Sequence, residues 1–456
     1  MSNSSNILQG GDVDGYSPIH KLPPELLGKI FHHCASHQKC WPGVIRLPNP
    51  SVREAPLKLG RICRSWRQLV LSDPSLWSRL WLGGDMGRPR NDLVTLDEWL
   101  ARSQLTPLWL AINYVAVSDD DDVEYVNRIM AKVISHSERW KYLDLNLPSP
   151  CKGPILTQLS KRSPNLEFLH IRITGEEPVK IDLSSQTSLI DLSLRAPVQF
   201  ASNHSAMRNI RTIRMVFPSL NDYFLCLDLC SSVEEVHYTF YNNIDFRPSI
   251  SEPIRILPSI TTVALIANTN FGEYEESLDF GFFLERLQLP RLRELEIDSS
   301  LPTEEIESWL YVSDLLKRSN AHLETFRARF LLHGSDFCDC LRQSPHLKIL
   351  LVGSDYIAER MLQTLTAQLN SEKPFVCPQL QRIELDLYSP SAYEIVAELV
   401  VQRWHSEVND AQLSFSSRIR SVALSAYNKY TDEPFINYPG ISQCIKDGLV
   451  VTSLDD

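Results

Sequence analysis

LRELEI, Leu292 to Ile297, sets an apolar residue, two others, then an apolar residue, one other and a second apolar residue. The alternation at its end is the signal of a short strand with one buried face. The phrase recurs along the chain: WKYLDL from Trp140, LEFLHI from Leu166, LIDLSL from Leu189, IRTIRM from Ile210, VEEVHY from Val233, ITTVAL from Ile260, LETFRA from Leu323, LKILLV from Leu347, LQRIEL from Leu380 and IRSVAL from Ile419. Successive starts from Trp140 lie between 21 residues (Leu189 to Ile210) and 39 residues (Leu380 to Ile419) apart. Self-similarity at such a period marks stacked supersecondary units, none of which can bury its apolar side alone.

Each phrase is therefore expected to supply one strand of a continuous core, with the chain between phrases returning as helix or irregular coil. Helical spacing supports this before Trp140, where Val123, Val126, Ile129, Met130, Val133 and Ile134 recur, and over 223–230, 306–316, 356–369 and 393–404. PLWLAI, 107–112, is an opening strand, and Ser78 to Leu82 joins it to what precedes. Such an array resembles an irregular α/β leucine-rich-repeat solenoid. An ordinary doubly wound sheet is the alternative, and eleven like phrases are many for one.

In the solenoid reading, the residue between the last two apolar positions and the residue after them face the concave side. That places Asp144 and Asn146, His170 and Arg172, Ser193 and Arg195, Arg214 and Val216, His237 and Thr239, Glu296 and Asp298, Arg327 and Arg329, and Glu384 and Asp386 there. His170, Arg172, Arg195, Arg214 and His237 become a cationic patch suited to an acidic or phosphorylated peptide. The plainer reading is a solvated face of mixed charge.

The amino-terminal part differs in kind. After a polar tail, 1–16, SPIHKLPPELLGKIF (17–31) puts prolines at a helix start and Leu26, Leu27, Ile30, Phe31 and Cys34 at helical spacing. Prolines 42, 48, 50 and 56 break the chain over 36–56, an irregular insert. A second helix is predicted from Leu57 to Leu71 on Leu59, Ile62, Cys63, Trp66, Leu69 and Val70. A third is capped by Ser72 or Asp73, with Pro74 at its first position and Leu76, Trp77 and Leu80 on its buried side. Three short helices bury too little to stand alone.

The series L-P-P-E-L-L from Leu22, Ile30-Phe31, C-R-x-W-R from Cys63 and D-P-x-L-W from Asp73 resembles an F-box of the long-insert form found in fungal proteins, across 19–82. The resemblance implies docking on a Skp-type adaptor and, through it, a cullin: a substrate-recognition subunit of a ubiquitin ligase with no catalytic residue and no cofactor. By position it assigns adaptor contact or its support to Leu22, Pro23, Leu26, Ile30, Phe31, Trp66, Leu76 and Trp77. The expected architecture is α+β, with an F-box-like helical domain at 17–82, a repeat solenoid at 83–428 and a cap or tail at 429–456. The alternatives are a scaffold of the same fold outside a ligase, and a hydrolase or metal protein using His32, Cys34 and Cys40.

Composition narrows the function classes. A net charge of -11 and a pI near 5.6 argue against coating a phosphate backbone, so nucleic acid is not the expected partner. The tail lacks the apolar core of a secretory signal and no run is long enough for a membrane helix, which predicts an intracellular protein, cytoplasmic or nuclear, carrying reduced thiols. HHCASHQKC (32–40) offers zinc-like ligands at a spacing that fits no paired set, with Cys34 expected on the oily helix face, so no metal is assigned. Cys338 with Cys340, and Cys226 with Cys230, read as core thiols, and SDDDD (118–122) lacks the spaced ligands of a calcium loop. No Gly-rich phosphate loop, nucleophile elbow or H-E-x-x-H pair occurs.

Overall fold

The computed structural model describes residues 18–35, 38–41, 44–84, 91–115, 120–173, 179–200, 207–216, 220–241, 253–268, 281–299, 310–329, 334–353, 355–366, 375–385, 390–405, 418–424 and 435–453. It forms two compact units, Met1–Leu145 and Asn146–Asp456.

In the first unit, α1 (Pro24–Cys34) begins with proline at its first position and buries Leu27 and Phe31. The insert is less irregular than expected: β1 (Gln38–Trp41) and β2 (Val44–Arg46) form an antiparallel hairpin. The helix expected over 57–71 is split. A 3-10 turn at Leu59–Arg61 ends before Cys63, which is extended (φ -154°, ψ 172°) and accepts the Trp66 N–H at Sγ, 3.5 Å, to start α2 (Arg64–Ser72). Apolar spacing runs through that break, and it wrongly assigns Ile62 to the interior; the side chain is 55% exposed. The third helix is a single 3-10 turn, Pro74–Trp77, capped by Asp73, whose carboxylate accepts the Ser75 N–H at 3.0 Å. Residues 78–82 are more than a connection, because β3 (Arg79–Gly83) is a strand in parallel register with β4 (Leu108–Asn113).

Between these strands stands α3 (Asp92–Arg102), which the sequence reading did not anticipate, and after them come α4 (Asp120–Ser135) and β5 (Trp140–Leu147), next to β4 in the sheet. Gly83 closes β3 at φ +85°, where any Cβ would collide with the Asn113 carbonyl. The outer edge of β3 is covered: the Trp81 N–H donates to the Pro48 carbonyl at 3.0 Å, and Leu47 beside it is 1% exposed.

The second unit opens with α5 (Lys152–Leu159) and continues through β6 (Phe168–Ile173), β7 (Val179–Ile181), β8 (Asp191–Phe200), β9 (Thr212–Val216), α6 (Leu220–Leu229), β10 (Glu235–Tyr241), β11 (Arg255–Ile256), β12 (Thr262–Asn268), α7 (Gly281–Glu285), β13 (Leu287–Gln288) and β14 (Glu294–Ser299). It ends with α8 (Leu310–Ser319), β15 (Thr325–Arg329), α9 (Gly334–Arg342), β16 (Ile349–Val352), α10 (Asp355–Thr366), β17 (Arg382–Leu385), α11 (Pro390–His405), β18 (Ser421–Leu424), α12 (Ile441–Lys446) and β19 (Val450–Ser453). Strands β6, β8, β9, β10, β12 and β14 to β19 lie side by side and parallel, β7 pairs with β8, and β11 with β13.

Their register follows the sequence phrase. The third phrase positions Phe168, Asp191, Thr212, Glu235, Thr262, Glu294, Thr325, Ile349, Arg382 and Ser421 are consecutive partners. The apolar positions of every phrase in this unit are buried. One backbone device repeats with them: the carbonyl of the second phrase residue accepts two successive N–H groups of the next phrase, as Glu167 does from Ile190 and Asp191, and Arg211 from Glu234 and Glu235. A side-chain ladder accompanies it, in which the residue before a phrase donates to the preceding unit's turn: Ser188 to the Pro164 carbonyl, Asn209 to Thr187, and Ser259 to Ser231. Helices cover the buried strand face; Tyr223 on α6 stacks on Phe240 at 4.5 Å, and Phe337 on α9 stacks on Phe326 at 5.4 Å.

Candidate functional site

The eight residues assigned by position to adaptor contact or support fall into two groups. Phe31, Trp66, Leu76 and Trp77 are the first unit's own interior, at 7% exposure or less. Phe31 and Trp66 meet at 4.8 Å between ring centroids. The Trp77 indole N–H donates to the Val70 carbonyl at 2.8 Å, while its ring meets Trp99 at 4.8 Å and lies under the Arg102 guanidinium at 4.4 Å. These four are buried and offer little surface. Leu22 is half-buried and Pro23 is exposed, and Leu26 and Ile30 remain 45% and 38% exposed on α1. Leu26, Ile30 and Cys34 recur every four residues, one outward stripe beside the inward Leu27 and Phe31. Cys34 is therefore exposed, contrary to its expected place on the oily face.

A clasp holds the end of α1 to the third helical turn. His32 Nε2 lies 2.9 Å from Asp73 Oδ2 and 3.1 Å from Ser75 Oγ, and that hydroxyl donates to Asp73 Oδ1 at 2.5 Å. Serine, histidine and aspartate meet here, but one imidazole nitrogen serves both partners. A relay from serine through histidine to aspartate needs both ring nitrogens, so this trio is a structural tie.

The expected cationic patch lies in the second unit, and the fold divides it. His170, Ser193, Arg214 and His237 are consecutive in register, as are Arg172 and Arg195. A carboxylate overlooked in the sequence sits among the first group. Asp191 Oδ1 is 3.0 Å from His170 Nε2 and 2.9 Å from Arg214 Nη1, which also reaches Oδ2 at 3.0 Å. Burial pushes the Asp191 carboxyl up, but the His170 hydrogen bond and the Arg214 charge outweigh it and hold it below the usual range. His237 is lowered to about 4 by burial and by Arg214, so it is neutral at physiological pH. The third phrase position, unread in the concave-face pattern, was the column in which Asp191 could have been found.

What stays outward is the pair Arg172 and Arg195, both exposed and in register on neighbouring strands. Farther along, cations are matched by register: Arg327 with Glu296 at 3.5 Å, and Arg329 with Asp298 at 3.9 Å. Burial raises the Asp298 carboxyl, with Arg329 opposing. Glu384 accepts from Arg382 at 2.6 Å, and Asp386 lies outside the described residues.

The three-part amino-terminal module, with its outward stripe, now has a counterpart among known sequences. Residues 19–83 match the F-box-like family. No curated protein matches the chain. A solved structure described as "Crystal structure of TLR13-ssRNA13 complex" is similar at 11% identity and a TM-score of 0.31, over 72% of this chain and 47% of that one. The chain thus spans about half the length of that protein.

The described residues contain no group of three or more His, Cys, Asp or Glu side chains able to hold a metal ion, and no helix long and apolar enough to cross a membrane. His37 lies outside the described residues, as does the Cys40 side chain. Cys226, Cys230, Cys338 and Cys340 are buried, as core thiols should be.

Proposed function

We propose that this chain is the substrate-recognition subunit of a Skp-cullin-F-box type ubiquitin ligase. The F-box-like region docks a Skp-type adaptor through Leu22, Pro23, Leu26 and Ile30, with Phe31, Trp66, Leu76 and Trp77 as the supporting core. Residues 83–428 form an irregular leucine-rich solenoid that holds the protein substrate, 429–456 close it, and no residue of the chain is catalytic. The protein works inside the cell, where the cullin is.

The observation that carries the reading is the Leu26–Ile30 stripe of α1, left 45% and 38% exposed beside the buried Leu27, Phe31, Trp66 and Trp77. Burying such a side chain from full exposure is worth about 1.5–3 kcal/mol, and covering the part still open on each of these two contributes roughly half of that. For the substrate, Arg172 and Arg195 are the outward cations of the strand face and suit an acidic or phosphorylated peptide.

Co-purification of the full chain with a Skp-type adaptor is the test. Capture is expected, and Leu26→Asp with Ile30→Asp abolishes it while the circular dichroism spectrum is kept. If no adaptor is captured, the scaffold alternative takes its place. Arg172→Glu with Arg195→Glu tests the substrate face by loss of acidic-peptide capture.

A further inference from the structure

A cavity of about 600 Å³ lies between the end of α1 and the insert segment that follows β2, within the range of ~300–1,000 Å³ typical of ligand sites. Its lining is mixed, and the apolar part includes the buried Leu47 and Leu59. Its rim carries Arg46, Arg53 and Lys58, all exposed. The one carboxylate in the lining is already engaged: Glu54 accepts from Arg46 at 3.1 Å and from the Asn49 N–H at 3.0 Å. The side chains of Arg53 and Lys58 have no partner among the described residues. The end of α1 would by itself repel an anion, but the Arg79 guanidinium caps the Ala35 carbonyl there at 3.4 Å. The cavity therefore holds two uncommitted cations beside buried apolar side chains.

Its position gives the occupant. Cys34 lines the cavity and is also the last member of the outward stripe Leu26, Ile30, Cys34, so a protein seated on that stripe runs into the opening. A polyanion such as nucleic acid meets a chain of net charge -11 outside the cavity, whereas a short acidic loop does not. We propose that the insert builds a second docking site, which takes a carboxylate-rich peptide segment with an apolar side chain, supplied by the partner protein that covers the Leu26–Ile30 stripe. This rests on the adaptor reading for the identity of that partner, and on the cavity alone for the chemistry of the segment.

The test uses the full chain and a fluorescein-labelled hexapeptide of sequence Glu-Glu-Leu-Leu-Glu-Glu, with its Gln-Gln-Leu-Leu-Gln-Gln analogue as control. Anisotropy should show binding of the acidic peptide only, weakening at least tenfold between 50 mM and 500 mM salt, and the peptide should slow alkylation mapped to Cys34. Arg53→Glu with Lys58→Glu should abolish both signals, while Leu26→Asp with Ile30→Asp, which removes adaptor capture, leaves them intact. In the adaptor pull-down at low salt, the double reversal should weaken capture at least fivefold. Failure of the acidic peptide to bind or to protect Cys34 overturns the proposal whatever the adaptor does. Adaptor capture at full strength by Arg53→Glu with Lys58→Glu overturns it too, and leaves the adaptor reading standing.

Discussion

At the scale of single residues, Asp191 matters most to the charged strand face, because it converts an expected cationic patch into a closed cluster. Removing its charge leaves Arg214, only 15% exposed at its side chain, without its carboxylate. Asp191→Asn should cost about 3 kcal/mol, the scale for one partner lost from a buried pair, read as a lower urea midpoint at unchanged slope. His237 gives the cluster a pH dependence. Its folded value is near 4 and its unfolded value 6.5, so between these the unfolded chain binds the extra proton and stability falls as pH falls. From pH 7.5 to pH 5 this group alone should remove about 2 kcal/mol, at ~1.4 kcal/mol per unit, and His237→Gln should flatten that part of the slope. The depressed Asp191 carboxyl acts lower: its contribution is present above its unfolded value of 3.8 and is lost below it. The histidines and arginines of this site were legible from the phrase spacing, since register follows it. Asp191 was not, because a residue two places away on a strand shares the face only when the column before the alternation is read as well.

Among elements, the two helices of the F-box-like region show where periodicity succeeds and fails. It found α1, whose inward Leu27 and Phe31 and outward Leu26 and Ile30 lie one residue apart, but it could not say which stripe the core takes. It failed at Cys63, where a side-chain cap starts a helix inside an unbroken apolar spacing. In the second unit, α11 was found, but not how it is held. Arg403, fully buried, donates to the Leu365 carbonyl at 3.1 Å, to Val376 at 2.5 Å and to Cys377 at 2.9 Å, and its guanidinium lies over the Phe375 ring at 4.9 Å. Burial lowers it to about 10, so it stays charged at neutral pH. Arg403→Met keeps much of the volume but strands those carbonyls, at about 1–3 kcal/mol each when buried, so a loss of at least 3 kcal/mol is expected. Faster amide exchange at Val376 and Cys377, with α1 unaffected, would mark the change as local.

For the molecule as a whole, the legible part of the fold was the part that repeats. Ten phrases of the second unit stack position by position because an apolar column must stay on one face, and a slip of one residue would turn it outward. The final strand, β19, escaped notice: Leu424, the last apolar position of its phrase, is in register with Ser453, so the apolar frame is incomplete although the ladder continues. The insert was illegible in another way, since prolines predict a break but not what the broken chain covers. Here it covers the outer edge of β3, where an open row of backbone groups would invite pairing with another chain. Replacing residues 38–48 with a short Gly-Ser linker removes the Pro48 carbonyl from Trp81 and the buried Leu47, a loss of about 2–4 kcal/mol from burial and one hydrogen bond. The larger effect is association: light scattering coupled to size exclusion should show self-assembly that grows with concentration. Leu47→Ala separates the two, since it costs about 2–4 kcal/mol by its cavity but keeps the backbone over the edge, and so should stay monomeric. A linker variant that remains monomeric with an unchanged melting temperature would show that the insert protects nothing, and would leave the cationic cavity as its only role.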